Sequence, residues 1–150
     1  MDVQVNVRER ILRPADEVFA AIVDPARMSQ YFITGGSGPM VAGTTVEWEF
    51  ADVGARIAVD VIEVEPARKV VYESAGCGTR TRVTITLAAD EPGTTSVAIH
   101  EAGWPMDADG VQRALGQAAG WSYFLCCLKA WLTHGINLRL GLDRRLNEVA

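Results

Sequence analysis

The sequence has little with which to close a disulfide, hold a metal or cross a membrane. Its three cysteines are an odd count, two are the adjacent Cys126 and Cys127, and none is spaced Cys-x-x-Cys. Neighbouring cysteines are poorly placed for a bridge, so a reduced, cytoplasmic compartment is expected. The two histidines, His100 and His134, lie far apart in sequence, and no metal site is expected. No apolar run reaches the roughly 18 residues of a membrane span. The opening residues, MDVQVNVRER, alternate and carry charge where a secretory signal would need an apolar stretch.

Positive charge is also in short supply. Lys and Arg number 14 against 19 Asp and Glu, a net charge of −5. That balance argues against nucleic acid or an anionic membrane as the main partner. The basic groups near the two ends, Arg8, Arg10 and Arg13, then Arg139, Arg144 and Arg145, read as solvated surface. No nucleophile–base–orienter set can be assembled, and Ser74, Ser96 and Ser122 sit in no elbow motif. No catalytic residue and no cofactor are therefore assigned. The glycine-rich stretch from Thr34 to Pro39 lacks a phosphate cradle and precedes no helix. It reads as a flexible loop, and Gly35 to Gly43 as a mobile entrance.

What is present is one long helical period. Trp121, Phe124, Leu125, Leu128, Trp131, Leu132 and Ile136 recur at helical spacing and fall on one stripe. Ser122, Cys126, Lys129, Thr133 and Asn137 take the opposite side, and Tyr123, Cys127 and His134 a third strip. The helix is expected to start with Asp107 or Asp109 as cap, to weaken near Gly116–Gly120, and to run to about Leu140.

Upstream, the period is mostly two. Val3, Val5 and Val7, then Ile11, alternate with polar residues as a first strand. Pro14 and Asp24-Pro25 begin two short helices. Tyr31-Phe32-Ile33 reads as a short apolar strand. TVEWEF, Arg56–Val61, KVVYES, RTRVTITLAA and TSVAIHEAG follow, joined by turns rather than helices. Without helical crossovers the strands must pair antiparallel, and a meander of this length curls. The expectation for residues 1–150 is one α+β domain: a curled antiparallel sheet of about seven strands around a long C-terminal helix. This is the helix-grip architecture.

Such a sheet cannot touch its helix evenly, and Ala114, Gly116, Ala118, Ala119 and Gly120 leave volume missing before Trp121. The candidate ligand-binding residues are Trp48, Phe50, Tyr72, Trp104, Trp121, Phe124, Leu125 and Leu128, lining a cavity for a small apolar molecule. Each is also a plausible core residue. Glu9 and Glu101 share the inward parity of their strands and could orient a ligand, although such residues more often reach water at strand ends.

Several segments carry a family resemblance. They include Arg13-Pro14-Ala15-Asp16-Glu17-Val18-Phe19, Asp24-Pro25, DVIEVEPARKVVYE, and VTITL with GTTSVAIHEAG. The chain then closes on Gly120-Trp121-Ser122-Tyr123-Phe124-Leu125, Leu128-Lys129, Leu132, His134-Gly135 and Asn137-Leu138-Arg139. In order and spacing these resemble the activator of heat-shock-protein-90 ATPase homologues of the START-like (SRPBCC) superfamily. Where many members carry a Trp-Trp or Trp-Phe/Leu pair, this chain has Tyr31-Phe32. The resemblance implies a helix-grip domain and a module that binds a hydrophobic ligand such as a lipid. A cyclase/aromatase-type enzyme and a chaperone-associated partner-binding module are the alternatives it leaves open. Exposed apolar margin at Tyr123, Cys127, Ala130 and Trp131, with open sheet edges, makes a homodimer plausible.

Overall fold

The structure is a computed structural model and describes residues 1–76 and 78–141. Arg144, Arg145 and Cys77 lie outside the described residues. The elements are β1 (Val3–Ile11), α1 (Ala15–Val23), α2 (Pro25–Met28), β2 (Gly35–Gly36) and β3 (Thr45–Phe50). They continue with β4 (Ala55–Glu65), β5 (Lys69–Ser74), β6 (Thr81–Glu91), β7 (Thr94–Trp104) and α3 (Ala108–His134). All seven strands form one antiparallel sheet in the order β1-β7-β6-β5-β4-β3-β2. From β2 to β7 every strand pairs with its neighbour in sequence; β1 alone joins from the far end of the chain.

The sheet is curled and unclosed around α3, the helix-grip fold expected from the strand pattern. Register shifts bend it at Val3/Gln4, Val61/Glu63 and Ala89/Glu91. An extra residue in one strand raises local twist, which is how a meander wraps a helix. At the second of these Ile62 turns outward and is exposed. The tight Pro92-Gly93 turn joins β6 to β7.

Local chemistry explains the helix boundaries. Asp24 accepts the Ala26 N–H at 2.9 Å, and Pro25 occupies the first helical position of α2. Asp107 accepts the Gly110 N–H at 2.8 Å and caps α3. α3 stops at Gly135, which adopts the left-handed conformation (φ 67°, ψ 24°) that glycine enters without steric cost. It does not reach Leu140, and Ile136, placed on the apolar stripe by its period, is exposed beyond the cap. Nor does α3 weaken at Gly116–Gly120: the helix passes through both glycines, held by its packed neighbours on either side.

A second correction concerns the segment after α2. Tyr31-Phe32-Ile33 is not a strand; Tyr31 N–H and Phe32 N–H both donate to the Met28 carbonyl, continuing the helical turn. Tyr31 is fully buried, and its hydroxyl donates to the Ala21 carbonyl at 2.8 Å. The edge strand instead forms at Gly35-Gly36, which pair with Glu49 and Trp48. The glycine-rich stretch is therefore ladder in part, and none of residues 35–43 lines the cavity described next.

α3 does not lie down the middle of the sheet. It packs along β1 and, less extensively, β7. Trp121, Phe124, Leu125, Cys127 and Leu128 are its buried residues beyond Gly110 and Ala114. The inner faces of β3 to β6 are left partly uncovered.

Candidate functional site

That uncovered half is a cavity of about 550 Å³ between α3 and strands β3 to β7. One wall is β3 to β5, where Trp48, Phe50, Ile57 and Tyr72 point inward by the alternation of their strands. Trp48 and Tyr72 meet edge to face with ring centroids 5.5 Å apart. The opposite wall is the middle of α3, contributed by Gln117, Gly120 and Trp121. Gly120 presents no side chain there, and a Cβ built on it would meet nothing within 4 Å. Missing volume in the helix is thus one physical origin of the space, as its small residues suggest. The other is the lateral placement of α3.

A chain of aromatic rings closes the side. Phe50, Phe32, Phe124 and Trp121 follow one another at centroid separations of 5.3, 4.8 and 5.5 Å, each edge to face. Phe32 borders the cavity, a place that its sequence context, an aromatic pair with Tyr31, does not mark.

The sequence-derived site residues divide. Trp48, Phe50, Tyr72 and Trp121 line the cavity. Trp104, Leu125 and Leu128 are core instead: their exposures are 0%, 3% and 0%, and none borders the space. Phe124, 1% exposed, is core as well and supports the lining from behind through Trp121 and Phe32.

The polar centre is Glu101. It sits on β7, in register between Val5 of β1 and Val83 of β6, and is 2% exposed. Trp121 Nε1–H donates to its Oε1 at 2.7 Å and Gln117 Nε2–H to the same oxygen at 3.0 Å. The Thr81 hydroxyl donates to Oε2 at 2.6 Å. Inward parity is legible in the strand, but parity alone favours a strand-end residue that reaches water. Glu101 is instead covered from the α3 side, where Trp121 and Gln117, one helical turn apart, both aim at the same oxygen. Glu9, its counterpart on β1, behaves in the bland way: it takes the Arg10 N–H at 2.8 Å and Lys129 at 3.2 Å near the surface.

At the mouth lies a residue that the sequence alone assigns to the surface. Arg139, past the end of α3, donates through Nε and Nη2 to Asp52 Oδ2 at 3.1 and 2.6 Å. Its guanidinium lies 5.3 and 5.5 Å from the ring centroids of Phe32 and Phe50. Both partners of the ion pair are largely buried, with 11% and 17% of their side chains exposed. The Tyr123 hydroxyl donates to the Leu138 carbonyl at 3.2 Å, so the segment after Gly135 is tied down twice. This also removes part of the apolar margin expected on that side of α3, and Cys127, assigned to it, is fully buried. Burial pushes the Cys127 thiol up, away from thiolate chemistry.

No cluster of His, Cys, Asp and Glu among the described residues could hold a metal ion. No described helix is long and apolar enough to cross a membrane. Cys126 is exposed, and His100 pairs at the surface with Gln4 at 3.0 Å.

Comparison with known proteins agrees with the architecture. The sequence profile of the family described as activator of Hsp90 ATPase homolog 1-like protein matches residues 13–133. Among solved structures, the protein SSP2350 from Staphylococcus saprophyticus superposes with a TM-score of 0.80 at 26% identity, over 91% of this chain and 96% of that one. DynU16, a putative protein in the dynemicin biosynthetic locus, gives 0.79 at 26% identity over 90% of this chain, which spans 49% of DynU16. The Aha1 dimer from Colwellia psychrerythraea gives 0.75 at 22% identity, over 89% and 98% of the two chains. No curated protein matches the sequence.

Proposed function

The chain belongs to the family of activator of Hsp90 ATPase homolog 1-like proteins, and from that premise we propose that it is a binding module for a small, mainly apolar molecule. The observation that carries the reading is the 550 Å³ cavity, bounded by aromatic side chains of β3 and β5 on one wall and by α3 on the other. Pockets of roughly 300–1,000 Å³ suit drug-sized ligands, and aromatic walls with few polar groups favour apolar ones. The ligand's apolar body lies against Trp48, Tyr72 and Trp121.

Two of the four tryptophans border the space, so binding reports itself in their emission. A fluorescent apolar probe titrated into the protein is expected to bind saturably with one site and to quench or shift that emission. Tyr72→Ala is expected to weaken binding more than it lowers the denaturation midpoint. Absence of saturable binding by any of a panel of apolar probes would remove the reading.

One observation favours a second reading, catalysis of the cyclase/aromatase type: a buried carboxylate, Glu101, faces the cavity. The two separate on the fate of the ligand. A binding module returns it unchanged, whereas an enzyme returns a product of altered mass or structure.

A homodimer is also proposed, in a narrower way. One solved neighbour is described as a dimer, and the sheet here is unclosed. A strictly monomeric sedimentation profile at micromolar concentration would dispose of it. A cytoplasmic setting follows from the cysteine usage alone, and a chaperone partner has only the family's description behind it.

A further inference from the structure

The cavity is mainly apolar, and its lining carries two charged side chains, Arg139 and the carboxylate of Glu101. Glu101 is 2% exposed, and its hydrogen-bond donors among the described residues, Trp121, Gln117 and Thr81, are all uncharged. Among the described residues, Oε1 takes two N–H groups and Oε2 takes the Thr81 hydroxyl alone. A carboxylate oxygen can accept about two hydrogen bonds, so Oε2 keeps an acceptor position. Within the cavity lining the cation is Arg139, and its guanidinium is already engaged by Asp52.

A buried negative group with only neutral donors is completed by a cation that brings its own N–H bonds. Trp48, Tyr72 and Trp121 border the same space, and aromatic rings attract cations as well as apolar surface. The chain's net charge of −5 acts in the same direction at long range. An anionic head group would meet the opposite: a carboxylate ligand placed against Glu101 would bury two like charges.

We propose that the cavity selects lipophilic amines, with the ligand's protonated nitrogen donating to Glu101 Oε2 and its apolar body lying against the aromatic wall. This rests on the binding-module reading above and names the class of ligand for it. Fatty acids and other apolar carboxylates are the class it rejects.

The test compares three probes of equal length that differ in one group: a naphthylalkylamine, the naphthylalkanol and the naphthylalkanoic acid. Each is titrated at neutral pH and read by tryptophan emission and by calorimetry. The wild-type protein is expected to bind the amine about tenfold or more tighter than the acid, with the alcohol between them. Glu101→Gln keeps the side-chain shape and the acceptor for Trp121, and is expected to abolish the amine preference while leaving the alcohol's affinity within about twofold. If the alcohol binds but the amine binds no tighter than the acid, the amine proposal fails and the cavity reading stands. An amine preference that survives Glu101→Gln overturns the assignment to Glu101. If none of the three binds, the cavity reading fails and the amine proposal goes with it. The wild-type series decides between amine and acid even if Glu101→Gln loses its near-ultraviolet circular dichroism.

Discussion

On the side of the sheet where β1 and β7 meet α3, Leu125, Leu128 and Trp104 are 3%, 0% and 0% exposed. On the side of β3 to β5, Trp48 and Tyr72 are as well buried in accessibility, at 3% and 2%, yet they border a 550 Å³ space. Composition does not separate these regions; both are built from large apolar side chains. The helix does. Leu125 and Leu128 of α3 are buried in the core, while the stretch facing the cavity offers Gln117, Gly120 and a tryptophan turned to hydrogen-bond Glu101. A residue's own burial therefore says little about whether it is core or lining; what stands opposite decides.

The comparison can be broken most severely on the packed side. Leu128→Ala is expected to cost roughly 2–5 kcal/mol by denaturant titration, because the lost methyl groups leave a void that neighbours refill only in part. A loss below about half a kcal/mol would mean that this half is as loosely filled as the other. Next comes the mouth: Arg139→Ala leaves Asp52 largely buried without its cation. Asp52 Oδ1 already has no hydrogen-bond partner among the described residues. An abandoned buried acceptor costs about 1–3 kcal/mol, measurable in the same titration.

On the hollow side the sign reverses. Gly120→Ala adds a methyl group where nothing stands within 4 Å and replaces a poor helix former with the best. It is expected to stabilise the fold by up to about 1 kcal/mol. The same methyl group narrows the cavity, so probe affinity is expected to fall. A variant both more stable and equally tight would show that Gly120 is not part of the boundary.

The smallest effect belongs to the outer face of α3. Lys129 and Glu9 lie 3.2 Å apart with 43% and 36% of their side chains exposed, and Lys129→Ala is expected to cost under about 1 kcal/mol. The Arg10 N–H, with help from Lys129, holds the Glu9 carboxyl below the ordinary carboxylate range. What it contributes to stability is thus present in full above that range and lost as pH falls through the lowered one. Lys129→Ala is expected to flatten part of that acid limb.

How much of this picture is legible in the sequence depends on the range of the interaction concerned. Strand alternation places Trp48, Tyr72 and Glu101 on the inner face, since parity is local. Asp24, Pro25 and Asp107 announce their helix ends for the same reason. Tyr31-Phe32-Ile33 misleads because three apolar residues in a row fit a buried turn as well as a strand; the Tyr31 and Phe32 N–H groups donating to the Met28 carbonyl distinguish them. Gly135 is the available stop signal for α3, masked by Ile136 keeping the period. Arg139 cannot be found from sequence at all: its partner Asp52 is 87 positions away, and nothing in either neighbourhood marks them as a pair. Trp104, Leu125 and Leu128 resemble lining residues because sequence pattern reports which way a side chain points, not whether the space in front of it is full.

The position of β1 has a consequence in time. β3 to β7 join through short turns, so the wall of aromatic rings assembles from segments that find each other quickly. β1 must wait for β7, bringing Ile11 to Thr95 and Val3 to Trp104 from opposite ends of the pairing, and α3 then docks on both. Closing so long a loop costs chain entropy before any contact offsets it. The packed half of the inner face is thus expected to form last, and Leu128→Ala to speed unfolding more than it slows folding. Until then β7 presents an unpaired edge and the nascent sheet its apolar concavity, so the tightly packed half of the molecule is also the half whose late arrival exposes it to aggregation.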